Sequence, residues 1–119
     1  MFDPEIMRKN SEQEEMRGVI VSRLRPGTRV IVETRNSIYE ITVIEGNRCW
    51  IKGGKHFPEF VEGYFQGSTW GGSCLKLHWI GFDMQMELIR GNRTVRTTPV
   101  KSASVHGPEW SYTLDWPLE

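Results

Sequence analysis

Between Leu75 and Leu88 the sequence alternates between apolar and polar residues, and partway along the alternation changes phase. Leu75, Leu77 and Trp79 are apolar, with Lys76 and His78 between them; from there the apolar positions become Ile80, Phe82, Met84, Met86 and Leu88. Strand side chains point to opposite faces with period two. A one-residue flip therefore turns the whole apolar set to the wrong face unless the backbone bulges or bends. Gly81 sits at the flip, and glycine tolerates such geometry. The pattern predicts a bend within 79–82 and makes 63–88 the central hairpin of a small all-β domain.

The remaining chain supports that class. Apolar and β-branched runs predict strands over 18–24, 29–34, 38–44 and 48–52, with Tyr39, Ile41 and Val43 on one face. Turns are expected at Arg25-Pro26-Gly27-Thr28, at Arg35-Asn36-Ser37 and at Gly46-Asn47, and a break at Gly53-Gly54-Lys55-His56. Pro58 demotes 57–62 to an edge or a loop. After the central pair, Gly91-Asn92 turns the chain into 93–97, Pro99 interrupts, and 100–105 forms the last barrel strand. The repeated I-E-G-N-R (44–48) and I-R-G-N-R (89–93) read as two hairpin turns with one backbone requirement.

Residues 3–17 carry helix-start signals in Asp3 and Pro4, yet their only apolar residues are Ile6, Met7 and Met16. The expected organisation is a helix or flexible arm over 1–17, a small antiparallel β-barrel over 18–106 (a sandwich being the alternative) and an aromatic tail over 107–119.

The chain has 119 residues, with 15 basic and 15 acidic side chains. That balance argues against a protein that grips duplex nucleic acid through its phosphates. Cys49 and Cys74 are the only cysteines, and with no leader-like start they read as reduced thiols. No apolar run approaches the ~20 residues that span a bilayer. The expectation is a cytoplasmic protein with no membrane role.

Cys49, His56, Cys74 and His78 are zinc-ligand types without zinc spacing, and the expected metal and cofactor count is none. No nucleophile elbow or cysteine–histidine signature is present, so a non-enzymatic binding or scaffolding module is expected. Three candidate surfaces remain. The glycine-rich stretch 67–73 offers Ser68, Thr69, Trp70 and Ser73 to a small anion. Arg48, Trp50, Lys52 and Arg93 form a candidate single-stranded nucleic-acid face, although tryptophans in a small β domain are first of all core material. Trp110, Tyr112, Leu114 and Trp116 alternate as an apolar stripe that either closes the protein's own barrel or adds to a partner's sheet edge, in another protein or in a second copy.

Overall fold

The structure, a computed structural model, describes residues 18–72 and 75–115, and for Asp115 the backbone alone. The expected arm over 1–17, together with Ser73, Cys74 and Trp116, lies outside those residues. Ten strands follow one another: β1 Gly18–Ile20, β2 Arg29–Thr34, β3 Ile38–Glu45, β4 Arg48–Gly53, β5 Phe57–Thr69, β6 Leu75–Leu77, β7 Trp79–Gly81, β8 Gln85–Arg90, β9 Arg93–His106 and β10 Ser111–Asp115. All pairings are antiparallel.

Six of these strands close a ring. β2 pairs with β3, β3 with β4, β4 with β5, β5 with β8, β8 with β9, and β9 returns to β2. The ring resolves the choice between barrel and sandwich in favour of closure. Alternation supplies the lining: Val30 and Val32, Ile41 and Val43, Cys49 and Ile51, Phe65, Met86 and Leu88, Val100 and Val105 are all buried inside. β1 and β7 form a separate two-stranded ribbon, which adds Val19 and Ile80 to the same core.

The two G-N turns share one geometry, with φ of 58° at Gly46 and 61° at Gly91, each joining neighbouring ring strands. A glycine with positive φ at the first turn position is what a II′ hairpin needs.

Several expectations change. The stretch 75–88 is not one strand: it breaks at His78 (φ 59°) and again at Phe82–Met84, where Asp83 has φ 62°. Met84, Met86 and Leu88 face inward, whereas Leu75 and Leu77 are exposed. β6 extends only the β4-side edge of β5, so its alternation has no core to face. Gly81 is needed less for its own φ than for space, because a Cβ there would overlap the Trp79 indole.

Pro58 does lie at an edge, as one of its two expected settings: β5 runs through it but pairs with β4 alone along that half, through a shifted register. Pro99, by contrast, does not interrupt β9; it marks where β9 passes from β8 to β2. The four described tryptophans are not core material: Trp50, Trp70 and Trp110 are exposed and Trp79 is half-buried. Smaller aliphatic side chains, with Phe57 and Phe65, fill the interior instead.

The C-terminal strand β10 pairs with the chain's own β9, setting Leu114 opposite Ala103 and Tyr112 opposite Val105. Leu114 is buried in the core, while Tyr112 and Trp110 run past the rim. Replacing Leu114 by alanine should therefore cost about 2–5 kcal/mol, against about 0.5–1.5 kcal/mol for Tyr112→Ala, whose exposed ring stacks on Trp110. Urea unfolding of the two variants measures both; equal losses would mean that Leu114 is not core.

Candidate functional site

A cleft of about 880 Å³ opens at the end of the β2–β9 ladder. One wall is the turn from Arg23 to Arg29, and the other is the loop from His106 to Trp110. Register brings the walls together, because Arg29 pairs directly with His106.

The first wall is built by turn chemistry. Thr28 N–H donates to Arg25 C=O at 3.0 Å, and Gly27 has φ 89°. Proline second and a positive-φ glycine third is the residue pattern of a type II turn. Gly27 N–H also donates to Val43 C=O and Val43 N–H to Thr28 C=O, so the turn is tied to β3. The backbone thus fixes the positions from which Arg25 and Arg29 project.

The second wall is held as firmly. Gly107 N–H donates to Trp110 C=O at 2.8 Å, and the Trp110 indole folds over Gly107, where a Cβ would overlap it. The indole also stacks on Tyr112, with centroids 6.0 Å apart and planes 11° from parallel. His106 Nε2 lies 2.9 Å from Ser104 Oγ.

The charge in this cleft is one-sided. Arg23, Arg25 and Arg29 line it, with Glu109 as the single acid. Among the described residues, neither Arg25 nor Arg29 makes an ion pair. The signal was present in the sequence as three arginines within seven residues, with no acid among them. Reading the segment for its proline and glycine alone passed over it.

The predicted surfaces fall elsewhere. Ser68 and Thr69 are not loop donors: β5 continues through both, and both are fully buried. Ser68 Oγ donates to Trp79 C=O, and Thr69 Oγ1 has no hydrogen-bond partner among the described residues. Trp70 is exposed at the start of the following turn. β8 and β6 flank β5 here, which explains why the chain stays extended into the glycine-rich stretch.

Arg48, Trp50 and Lys52 do share the outer face of β4, and β5 adds two aromatics to it. Tyr64 lies opposite Arg48, Glu62 opposite Trp50, and Lys52 Nζ sits 5.6 Å from the Phe60 ring centre. Trp50, Phe60 and Tyr64 are 45%, 43% and 44% exposed. The face is not basic, however. Arg48 is 3.9 Å from Glu45 and 4.0 Å from Glu62, and Glu40 pairs across from Lys52. Three acids against two bases give a phosphate backbone nothing to hold. Arg93 is not brought to this face: it pairs with Arg90 at the β8–β9 turn, with β8 between its strand and β5.

Cys49 is sealed in the core, its thiol donating to Asn47 C=O at 3.5 Å. Burial pushes its pKa from 9.0 up to about 11, offset in part by a hydrogen bond from the Phe65 backbone. A thiol held protonated is a poor nucleophile and ligand.

No helix among the described residues is long and apolar enough to cross a membrane. Comparison with known proteins supplies no relative: no family model, no curated protein and no solved structure matches this chain.

Cys49 sets a pH dependence. Between pH 9.0 and about 11 the unfolded chain releases this proton while the folded chain keeps it. Stability therefore falls as pH rises through that window. Melting curves of Cys49→Ala should show a shallower loss across it, with Tyr39, whose pKa burial also raises, still contributing. An unchanged slope would place the thiol in water.

Proposed function

We propose that this protein is a non-enzymatic binding module that takes a small anion in the cleft between the Arg23–Arg29 turn and the His106–Trp110 loop. One observation carries the reading: Arg25 and Arg29 line a concave site of about 880 Å³, and neither makes an ion pair among the described residues. Guanidinium groups present a planar fork of donors that matches carboxylate and phosphate oxygens, and such charged hydrogen bonds are about twice as strong as neutral ones. A turn tied to β3 holds them without cost to the ligand in ordering the backbone.

Binding without chemistry is favoured because the Ser104–His106 contact lacks the rest of a catalytic set. No carboxylate orients the His106 ring among the described residues, and the two side chains lie two residues apart on one strand. Two polar neighbours on a strand face satisfy each other in this way.

Inorganic pyrophosphate is the direct probe. Titration calorimetry at low salt should detect binding that weakens as salt rises. Arg25→Ala and Arg29→Ala should each weaken it roughly tenfold to a hundredfold, the worth of one hydrogen bond to a charged group. Their unfolding midpoints should stay close to the parent's, since both side chains are exposed. Binding that neither salt nor substitution changes would refute the site.

A second reading, association through the outer face of β4 and β5, is favoured by the three aromatics it leaves half in water. Trp, Tyr and Arg dominate the energetics of protein interfaces. Sedimentation velocity over a concentration series should then show a dimer that Trp50→Ser with Tyr64→Ser dissociates. A monomer at every concentration would dismiss self-association through this face.

A further inference from the structure

An inorganic anion would use only half of the cleft. Trp110 forms part of the wall facing the arginine turn, and 47% of it remains exposed. Its ring is not loose: Gly107 beneath it and Tyr112 beside it set the indole plane. A large aromatic held in fixed orientation in one cleft with Arg25 and Arg29, which make no ion pair among the described residues, combines two recognition elements. The guanidiniums suit phosphate oxygens, and the indole suits the flat face of a heteroaromatic ring.

From this juxtaposition we propose that the ligand is a nucleoside phosphate, with its phosphates on Arg25 and Arg29 and its base against Trp110. The inference rests on the anion-binding reading above and adds the organic half of the ligand. Glu109 sets the direction. It adjoins Trp110 on the loop wall, so its carboxylate repels phosphates from that side and accepts hydrogen bonds from ribose hydroxyls or base amino groups. The volume of about 880 Å³ lies within the ~300–1,000 Å³ usual for small-molecule sites.

The test compares pyrophosphate, adenosine, ADP and GDP as probes of the full chain by calorimetry, with saturation-transfer NMR on the base protons. At least one nucleoside diphosphate should bind about tenfold tighter than pyrophosphate, the margin expected from one stacked base. Trp110→Leu, which keeps apolar bulk, should abolish that margin, so that nucleotides and pyrophosphate bind alike; Trp110→Phe should restore part of it. Saturation transfer should reach the base protons of the bound nucleotide. Equal affinity for pyrophosphate and both nucleotides would overturn the base contact while leaving the anion site intact. Failure of every phosphate to bind would instead remove the anion reading on which it stands.

Discussion

The pairing of β2 with β9 is the contact on which the rest of the molecule depends. It runs from Arg29 opposite His106 to Thr34 opposite Val100, and joins the first ring strand to the last. Closing so long a loop costs chain entropy, although that cost grows only with the logarithm of loop length. The return is large. Val30 meets Val105 and Val32 meets Ala103 inside the ring, and the edges an open sheet would expose are paired instead. A register shift between Glu33 and Thr34 absorbs the change of direction as β9 leaves β8 for β2.

Local patterning was legible wherever a strand had one wet and one dry face. β2, β3, β4 and β8 follow their alternation closely, and the two G-N turns sit where their dipeptides place them. Patterning misled where its assumptions about neighbours failed. Pro99 was read as an interruption because a strand flanked on both sides needs every N–H, yet it lies where β9 exchanges one partner for another. Pro58, read as an edge or a loop, does lie where β5 has one partner. Leu75 and Leu77 alternate as well as any core strand, yet the period does not say which side faces the interior.

Tryptophan was misjudged for a different reason. The barrel interior is filled by Val, Ile, Leu, Met and Phe, whose shapes fit between six tightly spaced strands. Two of the indoles lie on glycine surfaces instead. Trp79 lies over Gly18 and Gly81, with the Lys76 ammonium 4.0 Å from its ring centre, and Trp110 lies over Gly107. Gly81, read from the sequence as a point of flexibility, serves here together with Gly18 and Gly107 as a flat seat for an aromatic ring. Half of the candidate cleft was equally hidden, because only ring closure brings residues 106–110 beside the arginine turn.

Closure also explains how a chain of zero formal charge keeps a basic cleft. On the outer face of β4 and β5, cross-strand register sets Arg48 and Lys52 among Glu40, Glu45 and Glu62, so opposite charges cancel at close range. At the β2–β9 end, register sets Arg29 against His106 and Thr42, neither of them an acid. Among the described residues Arg29 is thus left without an ion pair by the same rule that pairs Arg48. Both cleft walls hang from strands hydrogen-bonded to each other, so backbone geometry fixes the width of the opening. A ligand would then have to order only the guanidinium side chains, and restricting the cost of binding to those groups is what preorganisation supplies.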